Sequence, residues 1–178
     1  MTYNSVGEIF EAIDKTEEKL RRKVSNLTDE QANSRVGGEG WSVAEIVEHI
    51  GIVANGVVQI TGKLLAQAES EGVKSDGNFN PPLSFAEQSE TVRDKKLAAP
   101  ERVRPQSKQT IAESLLKLDE AQKSLTTLRP RVEAVDASRA KFPHPFFGDL
   151  NLYQWLVVAG LHKLRHLRQI ETILAEKV

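Results

Sequence analysis

The sequence predicts an all-α protein, a four-helix bundle with a long crossover between its second and third helices. Three observations carry that prediction. Apolar residues recur at intervals of three and four in four separate stretches, which is the helical period. Helix-start pairs, a Ser or Asn with Glu or Gln three residues later, head three of those stretches. A polar segment with several prolines separates the second stretch from the third, and it is too long for a simple turn. No segment shows the sustained alternation of a half-buried strand.

The first helix is expected from about Ser5 to Leu27. Ser5 and Glu8 make a capping box, and Val6, Ile9, Phe10, Ile13, Leu20, Val24 and Leu27 share one stripe. A short helical turn begun by Thr28 with Gln31 follows, and the glycines between Val36 and Gly40 break the chain. Ser42 and Glu45 open the second helix. Ile46, Ile50, Val53, Val57, Ile60 and Leu64 form its stripe, and it closes between Ala68 and Gly72. From about Glu71 to Ser107 runs the crossover, carrying Pro81, Pro82, Pro100 and Pro105, with a short helix expected from Ser84 and Glu87. The third helix spans about Gln109 to Leu128 and stops at Pro130. A turn-rich connector ends in Phe142-Pro143-His144-Pro145-Phe146-Phe147-Gly148. The fourth helix starts at Asn151, capped with Gln154, and runs to near Glu176. Its first half is apolar on nearly every face, as expected of a helix at the centre of a bundle or at a subunit contact. Long second and third connections argue against a simple up-down-up-down order.

The 178 residues suit one domain, 1–178. With 24 basic and 25 acidic residues the formal net charge is −1, so no basic surplus points to nucleic acid. The absence of cysteine excludes disulfides, thiolate zinc sites and a cysteine nucleophile, and fits a cytoplasmic protein. The first twenty residues lack a signal peptide's apolar core, and no uninterrupted apolar run approaches the ~20 residues of a membrane span.

The chemistry of this chain rests on its four histidines. His162 and His166 stand four residues apart, on one face of the last helix and about one turn from each other. Two imidazoles so placed can reach one metal ion. His49 falls beside Ile46 and Val53, at the edge of the apolar stripe of the second helix. Buried histidines need hydrogen-bond partners, a neutral state or a metal, and one shared cation would satisfy all three. The alternative is three separate core histidines with ordinary partners. Glu45, one turn before His49, is either a general base or only the capping-box residue. Gln169 and Arg165 can line a pocket and hold a cofactor or an anionic substrate, with Arg168 beside them; otherwise they are helix-edge groups. His144 can approach from the connector. Trp41, Trp155, Phe146 and Phe147 read as packing, and Lys163 as a lysine that snorkels from a buried position.

Two blocks resemble the DinB-like (DinB/YfiT) superfamily. One is Gly40-Trp41-Ser42-Val43-Ala44-Glu45-Ile46-Val47-Glu48-His49-Ile50, similar to the start of that superfamily's second helix. The other runs from His144-Pro145-Phe146-Phe147-Gly148 through Leu152-Tyr153-Gln154-Trp155 to His162-Lys163-Leu164-Arg165-His166-Leu167-Arg168-Gln169-Ile170, similar to its last helix and lead-in. Together they cover about a quarter of the chain. The resemblance implies a four-helix bundle whose metal ligands are His49, His162 and His166, none of them substituted here. It implies nickel or zinc as the usual ion, and frequent homodimers. Some members are thiol S-transferases using bacillithiol or mycothiol, others are classed as hydrolases, and many have no known activity.

Three imidazoles leave a divalent ion with open positions, as in catalytic rather than structural sites. The expected activity is therefore metal-dependent hydrolysis of a small molecule, with Glu45 as the nameable proton acceptor. Transfer of a small thiol cofactor is the first alternative. A stress-related binding or scaffold bundle without catalysis is the second.

Overall fold

A computed structural model describes residues 3–75, 98–106 and 108–176. Its elements are α1 (Val6–Val24), α2 (Asp29–Ala32), a 3₁₀ turn (Val36–Gly38), α3 (Val43–Glu71), a second 3₁₀ turn (Glu101–Val103), α4 (Ile111–Ala134), β1 (Lys141–His144), β2 (Gly148–Asn151) and α5 (Leu152–Ala175). The expected helix from Ser84 and Glu87 lies outside the described residues.

Each long helix begins where its sequence provides an acceptor for otherwise orphaned N–H groups. Ser42 with Glu45, Thr110 with Glu113 and Asn151 with Gln154 form full capping boxes, as does Thr28 with Gln31 ahead of α2. At α1 only half of the expected box forms. Ser5 accepts from the Glu8 N–H, but the Glu8 carboxylate reaches the Asn4 N–H instead. At its other end α3 closes on Gly72 in the left-handed conformation, where a side chain would be strained.

The packing partners define the bundle. α3 packs on α4 and α5, and α1 packs on α5 and α4. The side chains that meet give the directions. Arg21 pairs with Asp119 and Asp14 with Gln122, so α1 and α4 run antiparallel. Arg131 clamps Glu69 through two bonds of 2.9 and 2.7 Å, joining the ends of α3 and α4, which therefore run parallel. Two parallel neighbours cannot be joined by a short turn. α3 has 29 residues, about 44 Å of helix, and the chain must return along that length before α4 begins. The long crossover is thus a geometric necessity, and the bundle is not up-down-up-down.

Two expectations need correction. Pro130 does not end the third helix; α4 continues through it to Ala134. Proline removes one helical hydrogen bond and crowds the preceding turn, at ~3 kcal/mol. The turn beyond it is held from outside, with Val132 fully buried and Arg131 clamped to Glu69, and within the helix Arg129 pairs with Glu133 across the proline. Restoring the missing donor with Pro130→Ala should raise stability by about 1–2 kcal/mol, once the looser unfolded chain is counted. Chemical denaturation checks this, and an unchanged or lowered midpoint would mean the helix already relaxes around the proline. The second correction is the connector after α4. It holds a short antiparallel hairpin, pairing Lys141 with Asn151 and His144 with Gly148. Trp155 Nε1 donates to the Phe142 carbonyl at 3.0 Å and pins the hairpin against α5. Phe142 and Phe147 pack on the core cluster that holds Trp155, covering part of the apolar start of α5, while Tyr153, Val158 and Leu161 stay partly exposed.

The core falls into two clusters. One gathers Ile9, Phe10, Ile13, Val57, Leu64, Leu125, Leu152 and Leu156; the other gathers Leu20, Val24, Val43, Ile46, Ile50, Leu118, Leu167 and Ile170. Polar residues mark the level where they meet: Glu17 between Ile13 and Leu20, His49 beside Ile50, and Lys163 and His166 just before Leu167. α3 is long and apolar enough by composition to cross a membrane. Its apolar face is packed against α4 and α5, as that of a bundle's core helix is.

Candidate metal centre

α3 and α5 bring His49, His162 and His166 together. One ring nitrogen from each lies within 4.8 Å of the others. His49 and His166 are each 2% exposed, and His162 is half-buried. The Nε2 atoms of His49 and His162 are 3.1 Å apart. The His162 and His166 ring centroids are 4.5 Å apart, one helical turn on. Trp41, from the segment leading into α3, leans over the group with its ring centroid 4.8 Å from that of His49 and 6.5 Å from that of His166.

Outer hydrogen bonds set the tautomers. A carbonyl oxygen can only accept, so His49 Nδ1 must donate to the Val103 carbonyl at 2.6 Å, leaving a lone pair on Nε2. On His166, Arg165 Nη2 donates to Nε2 at 2.8 Å, so Nε2 carries the lone pair and Nδ1–H donates to Gln169 Oε1 at 3.0 Å. Both rings therefore carry an unprotonated Nε2, facing His162 in the case of His49 and Arg165 in the case of His166, while the other nitrogen is held by an oxygen. That is the support metal-ligating histidines need.

The same surroundings keep the rings neutral. Burial lowers the His49 pKa; the Val103 carbonyl opposes this and the Arg165 charge adds to it. His166 falls to about 3, through burial first and then the charges of Arg165 and His49. His162 lies well below its ordinary value, through burial and then the charges of His166, His49, Arg165 and His144. A neutral imidazole is the form that binds a metal. An ion bonded at ~2.1 Å to each nitrogen spaces the nitrogens roughly 3–4 Å apart. The nitrogens of the cluster already lie within 4.8 Å of one another, close to that spacing, so its donor set fits a divalent ion.

The other candidate residues divide. Gln169 and Arg165 both contact His166. Glu45 is committed elsewhere: its carboxylate takes the Ser42 N–H at 2.7 Å and pairs with Arg35 at 2.6 Å. Its capping role is the one on view. Arg168 is exposed to solvent. His144 lies between Trp155 and Phe147 with its ring tilted to both, accepts the Phe146 N–H on Nδ1, and sits at a pKa of about 4 through burial and the Arg102 charge. Lys163 does not snorkel. It is buried, and its amine meets the Glu17 carboxylate. Two contributors escaped sequence reasoning. Val103 acts through its backbone carbonyl, which no side chain advertises. Glu17 was visible as a charge on the apolar stripe between Ile13 and Leu20.

A small apolar cleft opens beside the cluster. Ile50, Ala54, Val57, Leu125 and Ala159 line it, and His162 and Lys163 stand on its polar side.

Comparison with known proteins agrees with this architecture. A family model described as the DinB superfamily matches residues 12–170. The chain is 27% identical over 153 residues to the uncharacterized protein YuaE of Bacillus subtilis (strain 168), covering 85% of this chain and 88% of that protein. The crystal structure of TT2238, described as a four-helix bundle protein, superposes with a TM-score of 0.62 at 19% identity, covering 93% of this chain and 96% of that one.

Proposed function

The chain belongs to the DinB superfamily, and from that premise we propose that it binds a divalent metal ion through His49, His162 and His166 and uses it to hydrolyse a small molecule. One observation carries the reading: three neutral imidazoles converge within 4.8 Å, two of them with their outer nitrogens anchored on oxygens. When bound, nickel, zinc or a similar ion supplies Lewis acidity, which makes a water molecule or a small thiol nucleophilic near neutral pH.

The protein's own residues do the rest. The three rings hold the ion, and three protein ligands leave coordination positions open for reactants. Val103 and Gln169 fix two of those rings, so loading an ion asks Arg165 to release His166 Nε2 and the His49–His162 contact to open, while those two rings stay oriented. Trp41 walls one side against bulk water, and the apolar cleft beside His162 seats the apolar part of a substrate. Glu45, bound to Ser42 and Arg35, is a poor proton acceptor while those contacts last, and proton removal falls to solvent or to the substrate.

The test is a paired screen. Protein reconstituted with nickel or zinc should turn over activated small-molecule esters or amides with water as nucleophile. Turnover only when a small thiol is added would replace hydrolysis with thiol transfer. No ion retained after reconstitution would sink the metal reading itself.

A further inference from the structure

Arg165 has no place in the fold that explains it. It is half-buried on α5, and among the described residues no carboxylate pairs with it. Among the described residues its one polar contact is the donation from Nη2 to His166 Nε2, the lone pair that an incoming ion needs. Burial disfavours its charge, yet a guanidinium stays protonated in proteins. Among the described residues the cation beside the histidine cluster is thus uncompensated.

Loading an ion sharpens the imbalance. Three neutral imidazoles contribute no negative charge, so a divalent ion keeps its full charge beside the guanidinium. The carboxylates on neighbouring stretches are engaged: Glu45 with Arg35, Glu48 with the Gln106 N–H at 3.1 Å, and Glu17 with Lys163. A site this positive is completed by an anion from outside. A guanidinium is the side chain best shaped to take an oxyanion through two parallel bonds.

We propose that Arg165 is a substrate-binding residue, and that the molecule this site accepts is small and carries a carboxylate or phosphate-type oxyanion, held between Arg165 and the histidine-bound ion. The proposal rests on the metal reading above for the ion, and on the unpaired guanidinium for the anion.

Cobalt(II), acetate and inorganic phosphate serve as probes. The visible spectrum of the cobalt-loaded wild-type protein, in a non-coordinating buffer, should change on titration with acetate or phosphate. Whichever of the two acts identifies the headgroup. Arg165→Gln should bind cobalt as tightly as wild type or more so, since a competing donor is gone. It should need at least ~10-fold more anion for the same spectral change, as expected for loss of a charged hydrogen bond. Arg165→Lys should fall between. Equal anion midpoints in wild type and Arg165→Gln, or no response to either anion in wild type, would overturn the proposal. A protein that takes up no cobalt fails the metal reading instead. The metal-free arm then decides: Trp41 lies beside the cluster, so anion-dependent tryptophan fluorescence that Arg165→Gln abolishes sustains an anion site, and its absence removes it.

Discussion

Replacing Lys163 with Met should destabilise the folded chain by about 3–5 kcal/mol, the largest single-residue effect expected outside the apolar core. Lys163 and Glu17 have side chains only 7% exposed and meet across the α1–α5 contact. Removing one partner strands the other as a buried, unpaired charge. Replacing both, as Glu17→Leu with Lys163→Met, should return most of the loss, because apolar side chains of similar size avoid the desolvation cost altogether. The measurement is a double-mutant cycle by chemical denaturation. Additive losses in the double variant would show that the two charges act independently and that the pairing is incidental. The pair matters for function through its position. Lys163 follows His162 directly and lines the cleft. Glu17 neutralises its charge there, so the net positive character of the site rests on Arg165 rather than on Lys163.

The sequence made the helices legible because helix starts and apolar stripes are local. Ser42 with Glu45 and Asn151 with Gln154 could be read from four residues each, and the structure forms both boxes. Thr110 with Glu113 was equally readable and places the start of α4 within two residues of the Gln109 expected. Pro130 misled because its effect is local while its compensation is not. Val132 in the core and Glu69 on α3 hold the last turn, and neither is visible from the proline. The hairpin was missed because four-residue strands interrupted by Pro143 show no usable alternation. At the histidines, spacing placed His162 and His166 on one face, but only the fold could bring His49 from another helix to within hydrogen-bond distance of His162. The Val103 contact was beyond reach, since backbone carbonyls look alike in every sequence.

Replacing His162 with Ala should lower divalent-metal affinity more than ~100-fold, a larger loss than deletion of any supporting group. The argument is a ranking. Loss of an outer partner costs metal affinity about 10–100-fold, because the ligand survives but is no longer oriented. Gln169→Leu removes the acceptor for His166 Nδ1 and belongs in that range. His162→Ala removes a ligand outright, as do His49→Ala and His166→Ala. Glu45→Gln should leave affinity close to wild type, because its carboxylate serves the Ser42 cap and Arg35 rather than the cluster; its cost should appear as about 1 kcal/mol of stability. Elemental analysis and competition with a metallochromic chelator give the order directly. Stability measured without metal guards against misfolding, and His162→Gln, closer in size to histidine, repeats the test without opening a void. If the three histidine variants keep the ion as well as wild type does, these rings are ordinary core histidines, satisfied by Val103, Gln169 and each other.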